Sequence, residues 1–249
     1  MAATNTRKPN WAHWRKRFEA RSDRELPTLD TNADYSELPA SLARSLAVFQ
    51  LGESGGGTVI DQARASDLES VDEDYAEAVR LFVDEEHRHA NLLAMCVRLL
   101  GGELIRRNWT QRLFLFGRRL IGLRLKVLVL LAAEVVGICY YSSIAAKLGP
   151  GPVRRWLSEM VDDERSHLEF HCLFLQSQVT SGWRRKLFVA VWRSVMFAAA
   201  IVVMIDHRQT IRDLDLGFKC TWQRWMAFSQ MAERLVTGAP VTCAESVEA

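Results

Sequence analysis

Two short segments of this chain share one pattern. Glu85-Glu86-His87-Arg88-His89 and Asp163-Glu164-Arg165-Ser166-His167 each set a Glu three residues before a His, and each Glu follows another acid. On an α-helix, positions i and i+3 share a face. Each segment can therefore send one carboxylate and one imidazole in the same direction. Two such helices facing each other would converge two carboxylates and two imidazoles, a donor set suited to first-row transition metals.

The rest of the chain supplies what such a site lacks. Glu53 stands 33 residues before Glu86, and Glu134 stands 30 residues before Glu164. The chain thus reads as two similar halves, each a helix with one Glu followed by a helix with a Glu/His pair. Two helices giving a Glu each and two giving Glu-x-x-His make the ligand set of a dinuclear carboxylate site in a four-helix bundle. Glu134 lies between Leu130-Leu131-Ala132-Ala133 and Val135-Val136. An unpaired carboxylate there would be costly to bury, so it needs a partner.

The helical pattern frames these residues. Trp11, Trp14 and Phe18 predict a short amphipathic helix within an N-terminal arm, residues 1–33. Leu42, Leu46, Phe49 and Glu53 follow on one face, up to Gly55-Gly56-Gly57. Further helices are expected at about 72–100, ended by Gly101-Gly102, at 120–148, and from Pro152 to about 178. A fifth is expected at 183–212 and a sixth at 218–236, with Trp222, Trp225, Phe228 and Met231 as its seam. The domain then covers 34–236: a core bundle at 35–180, extra helices at 183–236, and a disordered tail at 237–249. No segment shows strand-like alternation, so the fold class is all-α. Residues 103–118 form a basic connection with Arg106, Arg107, Arg112 and Arg118, and Arg119 just beyond.

Bulk properties exclude several classes. The net charge of +2 gives no general electrostatic case for nucleic acid. The five cysteines are scattered and form no CxxC pair, against a disulfide framework or cysteine zinc site. A reducing cytoplasmic location is expected, and the N-terminus has no apolar signal-peptide core. Residues 187–205 form a 19-residue run whose one charge is Arg193. That length would admit a membrane span, but a charge at a helix centre costs about 2.5–3.5 kcal/mol on insertion scales. A helix packed on the bundle, or at the interface of a homodimer, is the favoured reading over a span.

Together, Glu53, Glu86-x-x-His89, Glu134 and Glu164-x-x-His167 resemble the ferritin-like di-iron carboxylate superfamily, which includes rubrerythrins, desaturases and di-iron oxygenases. The segment from Glu85 to Leu93 is similar to the first desaturase motif, and Asp163 to His167 to the second. The resemblance covers about residues 35–180 and implies a ferritin-like four-helix bundle with one or two added C-terminal helices. It implies that Glu53, Glu86 and His89 serve one iron and Glu134, Glu164 and His167 the other, with Glu86 and Glu164 bridging. It also implies that Asp163, and Glu85 where the family commonly has Asp, hold the histidines by their second nitrogen. His171, four residues after His167, matches by spacing a seventh ligand of N-oxygenating members; it reads otherwise as a neighbour of the site or a surface histidine. His87 is expected to face away. Tyr141 shares the face of Glu134 and is a candidate proton or electron donor, and Gly137 could leave room for dioxygen or substrate.

The activity implied is that of an oxidoreductase: a non-haem di-iron oxidase or oxygenase that hydroxylates, desaturates or N-oxidises a lipophilic small molecule. Manganese/iron would accept the same ligands. With no dinucleotide glycine motif, electrons would come from an external reductase or ferredoxin. The alternatives are a ferroxidase or iron-handling stress protein, and a membrane-associated di-iron hydroxylase anchored by residues 187–205.

Overall fold

The computed structural model of the protein describes residues 9–29, 34–55, 57–109 and 122–238. Arg112, Arg118, Arg119 and the expected tail from 239 onward lie outside the described residues, as does Gly56. Every regular element among the described residues is helical.

The N-terminal arm contributes helix α1, Trp11–Glu19, whose Trp11, Trp14 and Phe18 are all buried. Asn10 caps it by accepting from the His13 amide. Helix α2 spans Ala40–Glu53 and helix α3 spans Thr58–Arg64. The glycine run therefore separates two helices, and α3 had no apolar stripe long enough to predict it. Helix α4, Glu73–Leu99, begins where the Asp72 side chain accepts from the Tyr75 amide. It ends where Gly101 takes φ +68°, a left-handed conformation that favours glycine. Gly102 follows at close quarters, since a Cβ there would meet Ala43 Cβ at 2.6 Å.

Helix α5, Leu123–Lys147, is apolar on all sides because it runs through the middle of the protein. Helix α6, Pro152–Gln178, carries Pro152 in its first turn, as expected. α5 packs along α6, α2 along α4, and α4 meets α6, so these four surround one interior. α1 lies against α4. Helix α7, Gly182–Asp206, packs on α5 and on helix α9, Phe218–Thr237.

The fifth helix ends earlier than its sequence suggests. His207 interrupts it, and helix α8 follows at Arg208–Asp213. Asp206-His207-Arg208 reads in sequence as a polar helix end, but His207 is buried, with Nδ1 2.7 Å from Ser45 Oγ, itself 2.7 Å from Tyr140 Oη. Phe49 stacks on both rings. Burial lowers the His207 pKa to about 4, so it serves there as a neutral partner tying α7 and α8 to α2.

The arm is part of the core. Trp11 donates its indole N–H to the Ser70 carbonyl and sets its ring edge-on to Tyr75, with centroids 4.8 Å apart. Trp11→Ala is expected to lower the unfolding free energy by about 3–5 kcal/mol, measured by denaturant titration; an unchanged midpoint would show that α1 is only loosely attached.

Candidate metal centre

The helical period places Glu86 and His89 on the inner face of α4, and Glu164 and His167 on the inner face of α6. All are buried, with both histidines fully so. The four side chains offer ligand atoms within 4.8 Å of one another. His89 Nδ1 lies 3.1 Å from Glu164 Oε1 and 3.7 Å from Glu86 Oε1. His167 Nδ1 lies 3.0 Å from Glu164 Oε2 and 3.1 Å from Glu86 Oε1. Each imidazole thus faces both carboxylates through Nδ1.

The opposite ring nitrogens are held crosswise. His89, on α4, sets Nε2 3.2 Å from Asp163 Oδ2 on α6. His167, on α6, sets Nε2 2.9 Å from Glu85 Oε2 on α4. Each acid therefore serves the histidine of the other helix. Glu85 fills this role across the longer reach of its side chain. Exposed neighbours on both helices, Asp84, His87, Asp162 and Arg165, point to solvent.

The two remaining glutamates close the cluster. Glu53, the last residue of α2, hydrogen-bonds with Glu86 and accepts from Tyr141 Oη at 2.9 Å. Its residue surface is half-buried because the helix ends there, but its carboxylate is turned into the protein. Glu134 is buried on α5, hydrogen-bonds with Glu164, and lies 3.3 Å from His171 Nε2. His171 is itself buried, edge-on to Phe82 with centroids 4.8 Å apart. It belongs to the interior of the centre, beside Glu134. Gly137 leaves its space to Tyr141: a Cβ there would meet the tyrosine ring at 3.4 Å.

Charge shows what such a cluster wants. Burial raises the Glu53 pKa well above the carboxylate range, and the charges of Glu86 and Glu164 add to it. Burial, then the charge of Glu164, does the same to Glu134. Burial also disfavours charge on Glu164, but a hydrogen bond from Glu134 and the two histidines outweighs this and holds its pKa low. Burial pulls His89 down, yet Glu164 and Asp163 outweigh it and raise it to about 9. Protons are thus retained among the carboxylates, where cations would relieve the same repulsion. Glu86 Oε1 and His89 Nδ1 are buried without a hydrogen bond. Oxygen donors with imidazole Nδ1 atoms, fixed from behind, fit a metal ion, and Glu86, His89, Glu164 and His167 could hold one.

A third layer, which carries no periodic sequence signal, comes from the arm. Arg21 places Nε 2.9 Å from Glu85 Oε1 and Nη1 3.2 Å from Asp163 Oδ1. Arg24 Nη2 donates to Asp163 Oδ2 at 2.7 Å. Burial disfavours charge on Asp163, but hydrogen bonds from His89 and Arg24 hold its carboxyl below the usual range. Ser166 accepts from Arg17 at 2.8 Å and from Arg21 at 3.2 Å.

Comparison with protein-family models, with curated proteins and with solved structures finds no match.

Two outcomes follow from this geometry. Arg21→Ala with Arg24→Ala should weaken metal binding about 10–100-fold, read by competition with a chelator, while lysine at both positions restores part of it; unchanged affinity would mean that the arginines only pack. In metal-stripped protein, the fold keeps a proton on His89 up to about pH 9 that the unfolded chain releases near 6.5. That contribution is complete below pH 6.5 and lost as pH rises through 9. The melting temperature of stripped protein should therefore fall over this range, and bound metal, which takes the place of the proton, should flatten the fall.

Proposed function

We propose that the protein is a non-haem di-iron oxidase or oxygenase of the ferritin-like carboxylate kind. In this reading it uses dioxygen to hydroxylate, desaturate or N-oxidise a lipophilic organic small molecule. The observation that carries the reading is the crosswise arrangement: two histidines offer Nδ1 to shared carboxylates while acids of the opposite helices grip Nε2. A structural ion pair has no need of four buried carboxylates around one point, two of them kept from ionising by burial and then by the charge of the others.

Glu53, Glu86 and His89 would hold one ion, and Glu134, Glu164 and His167 the other. Glu86 and Glu164 would be shared by the two ions, since both histidines contact both of them. Iron held there supplies activation of dioxygen; a manganese/iron pair is accommodated by the same donors. The protein's own part is positional. Glu85 and Asp163 fix the imidazole rings with Nδ1 inward. Phe82, edge-on to His167 at 4.8 Å, and Phe18, 5.8 Å from the same ring, keep water from the histidine. Tyr141 holds its proton at neutral pH, because burial and then the charge of Glu53 push its pKa well up. Its Oη is set on Glu53, one hydrogen bond from a metal-binding carboxylate. Electrons would come from a separate reductase or ferredoxin.

The deciding measurement is metal per chain followed by dioxygen consumption. About two iron ions per chain are expected, with oxygen uptake when the reduced protein meets air. Glu164→Ala should lose the iron. Tyr141→Phe should keep it and slow oxygen-dependent turnover. Large iron cores in an assembly would instead mark an iron-storing protein, and a wild-type chain that takes up no metal would remove the whole reading.

A further inference from the structure

Among the described residues, two helices are long and apolar enough to cross a bilayer by length and composition, and the structure treats them in opposite ways. In α5 the most apolar stretch is 78% buried; in α7, with a mean hydropathy of 2.2, it is 22% buried. One face of α7, with Phe188, Trp192, Met196 and Ala200 at four-residue steps, is buried on the bundle. Trp192 Nε1 donates to the Ser229 carbonyl of α9 at 3.0 Å. The opposite face leaves Trp183, Leu187, Phe197, Ile201 and Ile205 exposed, between 38% and 65%. These positions fall on one side of the helix and run about 33 Å along it. Such a strip is larger than the scattered apolar residues of an ordinary surface.

The exposed charges at the start of the strip are all cations. Arg184, Arg185 and Lys186 are exposed beside Trp183 at the start of α7, and no acid occurs in the helix before Asp206. At its far end Asn108 donates to Asp206 at 2.7 Å. That bond ties the 104–109 segment to the end of α7, on the side turned away from the strip. Arg193, at the edge of the strip, is turned aside by a two-pronged bond to Glu233 of α9, both at 2.8 Å. The strip thus begins at a tryptophan beside a cluster of three cations.

We propose that α7 lays this face into the headgroup region of an anionic phospholipid bilayer, as an interfacial helix and not as a span. A span would have to carry α5 and α9, which pack on the other face of α7, into the bilayer with it. Apolar side chains on one face, with an aromatic ring and cations at its start, are what an anionic lipid surface binds. A second copy packed in parallel would set the two cation clusters against one another, whereas an anionic surface pairs with them. This inference stands on exposure and charge alone and is independent of the metal centre.

The test uses the full-length protein and vesicles of phosphatidylcholine, with or without phosphatidylserine, with binding measured by flotation. The protein should float with the phosphatidylserine vesicles at low salt and much less with the neutral ones. Leu187→Ser with Ile201→Ser should weaken binding about 100-fold. Arg184→Gln with Lys186→Gln should weaken it about fivefold per charge and reduce its salt dependence. Circular dichroism and metal content report the fold of each variant, and the exposed charge variants carry the test if the apolar pair fails to fold. Three results would overturn the proposal: a wild-type chain that stays with the soluble fraction, binding unchanged in the folded variants, or a soluble dimer broken by Leu187→Ser with no vesicle binding.

Discussion

Four carboxylates share one dry interior, and almost everything around them serves to make that tolerable. Glu53, Glu86, Glu134 and Glu164 come from four helices, and burial opposes charge on Glu53, Glu134 and Glu164. Two imidazoles stand among them, two further acids stand behind the imidazoles, and two arginines stand behind those acids. Charge alternates outward from the centre until it reaches solvent. Removing any layer strands the one inside it, which is why breaking a buried pair costs more than the pair itself contributes.

The crosswise links also have a mechanical role. The bond from Asp163 to His89 and the bond from Glu85 to His167 both cross from α4 to α6. These two helices otherwise touch less than the pairs α5–α6 and α2–α4. Polar bonds thus join what apolar packing leaves loosely joined, and they fix axial register, since a slip of one residue would break both. A bound cation at the centre would then report on helix register as much as on side-chain chemistry.

Much of this was legible in the sequence because helices repeat at a known period. The spacing of Glu86 and His89 implies a shared face, and the upstream Glu53 and Glu134 implied the other two helices. Pro152, Asp72 and Gly101 marked helix ends through local backbone chemistry. The crosswise links were not legible: Glu85 and His89 are four apart, as are Asp163 and His167, so sequence alone suggests partners on the same helix. Arg21 and Arg24 were hidden for another reason. Charged residues in a segment without periodicity look solvated until the fold shows that α1 anchors them. His207 was misjudged in the same way, since its polar neighbours disguise a buried hydrogen bond to Ser45. α3 carries too few residues to show a period.

The arginine layer has one more consequence, in the order of events. Arg21 is made 142 residues before Asp163, the acid it must reach. During synthesis the arm emerges first and can settle on α4, but Arg21 and Arg24 meet Asp163 only once α6 has left the ribosome. α4 can assemble with α2 meanwhile, but Glu85 then lacks both its imidazole partner and the final geometry of its guanidinium. The arginine layer is therefore completed late, and a nascent chain stalled before α6 would leave Glu85 without its histidine and the two arginines without Asp163, exposed to the chaperones that handle unfinished proteins.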